Sequence, residues 1–230
     1  MHIESLQTYL KSMKKSPGAA CFLLFFLFFS ISGCALSAQR VHPEFENRIK
    51  TIKRPILIPP DVTMLELLPS GMIRQRPEWS TAGCRNLEKA IQLQLKDKKC
   101  TLIPLPIDAY SEQEVAEIQA LYRLVHKSMK QQTFSSGQDP LSYRRFEYSL
   151  GSIDRLLNKI GADSMILISG YDRISLSGRK ALIDLAVADS SGTIVYFSVK
   201  GTIRGSDLRD FASANIIVKE LLSGFSRKEE

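Results

Sequence analysis

Gly161-Ala162-Asp163-Ser164-Met165-Ile166-Leu167-Ile168 opens with a helix stop and runs straight into an unbroken apolar stretch. The glycine suits the position just past a helix end, where a left-handed residue is wanted. Met165 to Ile168 show no alternation, so they read as a central strand covered on both faces. Such a strand needs helices on each side. The expectation is therefore an α/β (α+β) single domain: a mixed sheet of about five or six strands packed by about four helices.

Upstream, Phe146, Leu150, Ile153, Leu157 and Ile160 recur at helical spacing and predict a helix ending at Gly161. Downstream, residues 180–188 and 193–203 read as two strands joined by the turn Asp189-Ser190-Ser191-Gly192. Residues 171–179 are read as the link between the central strand and the next. Tyr171, Asp172, Arg173 and Arg179 there combine charge with an aromatic, which makes the segment a candidate contact loop; a plain exposed hairpin connection is the competing reading. Ser206 is expected to cap a last helix, with Asp207 in its first turn and Leu208, Phe211, Val218, Leu222 and Phe225 on its buried face.

Further upstream, residues 56–58 form a short strand ended by Pro59-Pro60, and residues 62–68 a second one before the turn Pro69-Ser70-Gly71. Residues 79–98 predict a helix through Leu87, Ile91 and Leu95. Residues 101–105 read as a strand stopped by prolines. Ser111 and Glu114 have capping-box spacing, ahead of a helix burying Val115, Ile118, Tyr122, Val125 and Met129. Residues 132–140 read as a polar loop.

The amino terminus has a different character. Lys11, Lys14 and Lys15 precede a 13-residue apolar run, AACFLLFFLFFSI, at residues 19–31. A spanning helix needs roughly 20 residues, so the length and the cationic flank fit an export signal better than a retained anchor. The run closes on Ile31-Ser32-Gly33-Cys34, which resembles the bacterial lipobox: an aliphatic residue, two small ones, then cysteine. That resemblance implies cleavage between Gly33 and Cys34, diacylglycerol on the Cys34 thiol and a further acyl chain on its freed amine. Several chains together give stable anchoring. Residue 35 is Ala, not the Asp that retains such lipoproteins in the inner membrane, which implies the periplasmic face of the outer membrane of a Gram-negative cell.

The expected organisation is a lipoprotein signal peptide at 1–33, a lipidated cysteine and flexible tether at 34–53, a periplasmic domain at 54–226 and a polar tail at 227–230. The tether is inferred from polar composition and Pro43, without an apolar period.

Composition narrows the chemistry. The 230 residues are 44% hydrophobic and 24% charged, as expected of a chain that buries a core. Of the net charge of +7, the signal carries +2, and no run of five Lys/Arg occurs, so nucleic acid is not an expected partner. No P-loop, H-E-x-x-H or G-x-S-x-G is present. The mature histidines are His42, placed in the tether, and His126, placed on a helix surface; neither can build a metal site alone. Cys84 lies near the start of the 79–98 helix and Cys100 past its end, roughly 20 Å apart, too far for a disulfide. Asp207 with Asp210, and Asp163 with Asp172, are carboxylate pairs that cap and turn roles explain. No cofactor, metal or catalytic residue is expected.

A wider resemblance rests on Ile56-Leu57-Ile58-Pro59-Pro60-Asp61-Val62, on Glu78-Trp79-Ser80 opening a helix, and on Gly161-Ala162-Asp163 before the apolar strand. Gly178-Arg179-Lys180-Ala181, the Asp-Ser-Ser-Gly turn and the ending Leu221-Leu222-Ser223-Gly224-Phe225 add to it. Over residues 54–226 the chain resembles bacterial lipoproteins near the curli-secretion channel lipoprotein (CsgG-like), the Pel-polysaccharide lipoprotein PelC and the amino-terminal domain of TolB. The resemblance implies a periplasmic α/β domain without enzymatic activity, some relatives forming rings that assist export or envelope assembly. The chain departs from the curli channel in lacking a long alternating hairpin pair able to build a transmembrane barrel. Only Cys34 carries over as a functional residue.

The leading expectation is thus a non-catalytic structural or assembly component of the envelope or an export system, held to the membrane through lipid on Cys34, with copies of itself in a ring or envelope proteins as partners. The alternative is a lipid-anchored periplasmic binding protein for a glycan or peptide.

Overall fold

The structure is a computed structural model, described over residues 37–105, 109–135, 146–176, 178–201 and 207–226. The chain divides into Met1–Cys34 and Ala35–Glu230. The second unit is built on a mixed seven-stranded sheet, as the central run implied.

Its elements in chain order are β1 (Ser37–Val41), α1 (Phe45–Arg48), a 3-10 turn (Ile49–Thr51), β2 (Pro55–Leu57), β3 (Asp61–Leu67), β4 (Ile73–Gln75) and α2 (Pro77–Asp97). Then come α3 (Ala109–Ser135), α4 (Asp154–Ile160), β5 (Ser164–Ser175), β6 (Gly178–Asp189), β7 (Ile194–Gly201) and α5 (Phe211–Leu221). The sheet order is β1-β7-β6-β5-β3-β4, with β2 also on β5.

β5 is the centre. It pairs antiparallel with β6 on one side and parallel with both β2 and β3 on the other. β2 and β3 are one line of chain broken by Pro59-Pro60. Leu57 faces Ile166 and Asp61 faces Ser169, so four steps on one strand match three on the other. Two prolines supply no N–H to the ladder, and the register slips there. β5 ends its preceding helix as read: Gly161 sits past α4 with φ of 75°.

The two faces of β5 feed two cores. Ile166 and Ile168 pack with Ile183, Leu185 and Val187 of β6 under α2 and α5. Met165 and Leu167 pack with Ala186, Ala188, Phe197 and Val199 under α3, α4 and the segment around Phe146. Each fully buried Leu or Ile contributes roughly 1.5–3 kcal/mol. α2 and α5 are also pinned to each other: Gln94 Nε2 donates to Asn215 Oδ1 at 2.9 Å.

Several expectations need correction. The stretch read as a flexible tether is part of the fold. β1 pairs along β7 from Ser37 opposite Lys200 to Val41 opposite Tyr196. His42, Phe45, Ile49 and Ile52 behind it are buried. Phe45 lies 6.1 Å from the Tyr196 ring, and Arg48 Nη1 reaches Asp189 Oδ2 at 2.5 Å. A five-residue edge strand with one buried side chain leaves no apolar period.

The helix expected from Phe146 onward exists only as α4. Phe146 and Leu150 reach their core from extended backbone, with Ile194 N donating to Tyr148 O and Leu150 N to Gly192 O. Residues 101–105 hold a single bridge, Ile103 to Ile56. α3 starts at Ala109, two residues before the Ser111 box. α5 starts at Phe211 and is capped by Asp210, which accepts from Ser213 N; Asp207 precedes the helix, and Phe211 is exposed. β4 was not anticipated. Ser206 and residues 227–230 lie outside the described residues.

Candidate functional site

Gly33 and Cys34, the residues on which the lipid anchor depends, lie outside the described residues. The candidate contact segment does not, and the structure changes its reading. Tyr171, Asp172 and Arg173 belong to β5 and Arg179 to β6, in a continuous hairpin ladder that pairs Asp172 with Ala181 and Arg173 with Lys180. The segment is strand nearly to its tip at Leu176, not a loop.

Alternation on these strands sends the four residues to different places. Asp172 is fully buried on the face carrying α2 and α5. Arg179 answers it from the same face, Nε donating to Asp172 Oδ1 at 2.6 Å and a terminal nitrogen contacting the other oxygen. Arg179 Nη1 also reaches Asp207 Oδ1 at 3.1 Å. Burial lowers the Arg179 pKa, and Asp207 opposes that shift.

Asp207 continues the chain of charges. It accepts from Arg209 Nη2 at 2.6 Å and from Arg209 N at 2.8 Å. Burial alone would raise its pKa; the hydrogen bonds from Arg209 and the charge of Arg179 outweigh that and hold it at about 2. The Arg209 guanidinium lies 4.4 Å from the Trp79 ring, and Arg76 lies 4.8 Å from it. Arg76 Nε then meets Glu66 Oε2 at 3.1 Å. This network fastens β5, β6, the approach to α5, the first turn of α2 and β3 into one corner. Its carboxylates are all committed to cations, which is the arrangement of a latch and not of a general acid–base pair.

A second polar cluster sits under α3. Asp184 of β6 is fully buried. Its Oδ1 accepts from the Tyr122 hydroxyl at 2.7 Å and its Oδ2 meets Lys130 Nζ at 2.5 Å. Burial raises the Asp184 pKa, while Lys130 works against it. Burial, then the Asp184 charge, push Tyr122 well above the usual phenol range. His126, expected on the surface, is half-buried with its ring 5.5 Å from Tyr122. Tyrosine, lysine, aspartate and histidine together would suggest chemistry if open to substrate. Here the carboxylate has no exposure, and the cluster bolts α3 to the sheet.

The remaining candidates resolve similarly. Asp163 accepts from Lys53 N and Arg54 N at 2.9 and 2.8 Å and is nine residues of strand away from Asp172. Neither Cys84 nor Cys100 is in a disulfide; Cys100 is buried with its Sγ donating to Ile52 O, and Cys84 is half-buried with its pKa raised by burial. Beside Cys84, Ser80, Thr81, Arg85 and Glu88 line a recess of about 360 Å³ along one side of α2. No cluster of three metal-type side chains and no helix long and apolar enough to cross a membrane occurs among the described residues.

No family model matches the sequence, and no curated protein does. Among solved structures the chain is similar to a PelC dodecamer from Paraburkholderia phytofirmans, at 10% identity and a TM-score of 0.40, covering 85% of this chain and 99% of that one. A point variant of that dodecamer gives 9% and 0.39, over 84% and 99%. The LpoB C-terminal domain from Salmonella enterica gives 10% and 0.29, over 70% and 96%.

Proposed function

We propose that the chain is exported, cut between Gly33 and Cys34, and held at the periplasmic face of the outer membrane by lipid on Cys34, where residues 35–230 act as a non-catalytic structural or assembly component of the envelope or of an export system. The observation that carries this is Ile31-Ser32-Gly33-Cys34 closing a short apolar run behind lysines. The division of the chain at Cys34 supports it, because the folded unit begins with the residue that follows. The non-catalytic reading is supported by Asp172, Asp184 and Gln94, buried polar groups whose partners lie on other elements of the fold.

The test is fractionation of cells making the intact chain or Cys34→Ala. The intact chain is expected in the outer membrane in its shortened form. Cys34→Ala is expected to keep its signal and leave that fraction. A variant still shortened and still in the outer membrane would contradict the proposal.

A further inference from the structure

We propose that the sheet end formed by the β5–β6 tip and the β3–β4 turn rests on an anionic phospholipid surface, an inference that presupposes the anchor on Cys34. Two residues, Ala35 and Leu36, lie between Cys34 and Ser37, so over three chain steps the acylated residue can stand at most about 11 Å from the start of β1. Ser37 lies opposite Lys200, which lies opposite Ile183 of β6. From that row the β5–β6 hairpin continues from Ile183 back to Gly178 in the direction in which β1 begins. At roughly 3.4 Å per residue it projects about 17 Å further. The hairpin therefore outreaches the chain leading to the lipid, and a bilayer holding that lipid meets the hairpin.

What stands at this end suits a bilayer surface. Leu176 at the tip is 89% exposed. Leu67 lies opposite Ser175, which brings the β3–β4 turn level with the tip, and there Met72 and Ile73 are 63% and 57% exposed. Arg173 and Lys180 face each other directly across the ladder. Like charges so placed repel in water and are relieved by an anion. Arg179 is neutralised by Asp172 and Asp207, and Lys200 by Glu220. Arg74 faces Glu66 across the β3–β4 ladder, whereas among the described residues no carboxylate pairs with Arg173 or Lys180. Apolar tips beside unneutralised cations are the pattern that enters the headgroup layer of an anionic membrane.

The test uses residues 35–230, which contain both cores, with a histidine tag directly before Ala35, bound to phosphatidylethanolamine–phosphatidylglycerol vesicles carrying a nickel-chelating lipid. A fluorescent dye is placed on Leu176→Cys or, at the opposite sheet end, on Ser190→Cys, each with Cys84→Ala. Quenching by brominated lipid is read. The dye at 176 is expected to be quenched and the dye at 190 not. Adding Arg173→Glu and Lys180→Glu, or replacing the phosphatidylglycerol with phosphatidylcholine, is expected to remove the quenching at 176. Absence of quenching at 176, equal quenching at both sites, or indifference to the charge reversal would each overturn the proposal. The tag stands in for the acyl chains, so this outcome is separate from whether cells lipidate Cys34.

Discussion

Asp184 shows what a single residue does here. A buried carboxylate is tolerated because Lys130 and Tyr122 meet its two oxygens. Removing the cation leaves the charge alone, which costs about 3 kcal/mol or more. Lys130→Met is therefore expected to lower the urea midpoint at pH 7. A carboxylate whose folded pKa is raised binds its proton more tightly folded than unfolded, so stability is gained as pH falls and lost as it rises. The Lys130→Met defect should accordingly shrink between pH 7 and 5; a defect independent of pH would count against this account. Asp207 has the opposite sign. Held at about 2 in the folded chain against an ordinary 3.8, it contributes stability above pH 4 that is lost as pH falls toward 2. Discounted for its partial exposure, the contribution is about 1 kcal/mol. Asp207→Asn should lose that amount at pH 6 and flatten the acid limb of the stability curve. Gly192 is fixed by geometry: at φ of 81°, a Cβ would fall 1.8 Å from Gly151 O. Gly192→Ala should cost about 3 kcal/mol, read by thermal melting. These roles were only partly legible in sequence. The Asp-Ser-Ser-Gly turn was. The burial of Asp172 was not, because a charged residue past an apolar run looks like a loop. The signal that could have found it is Arg179 seven positions on, the opposite charge returning on the same face of a tight hairpin.

At the scale of elements, β5 was readable because burial on both faces removes alternation and leaves Met165 to Ile168 unbroken. The edge was not readable. Ser37 to Val41 owe their place to backbone bonds with β7, which no side-chain pattern reports. Phe146 and Leu150 misled for a related reason: spacing of four suits a helix, yet extended backbone brings both to the same core. The consequence for β1 and α1 is testable. A flexible tether would tolerate Phe45→Ala; a folded one should lose about 3 kcal/mol, since Phe45 is buried against Tyr196. Unchanged denaturant midpoints would restore the tether.

For the whole molecule, a β1 that begins three residues after the proposed acyl site leaves little slack between lipid and fold. A structural role in the envelope then invites self-assembly. Native mass measurement of residues 35–230 should give a defined oligomer, and a monomer at all concentrations would remove the ring reading while leaving the anchor untouched. The anchor itself is best tested on the amino-terminal peptide of the protein purified from its own membranes. Mass spectrometry should find that peptide starting at Cys34 and heavier than its sequence by a diacylglyceryl group and a fatty acyl chain. A peptide of unmodified mass, or one still preceded by Gly33, would contradict the account.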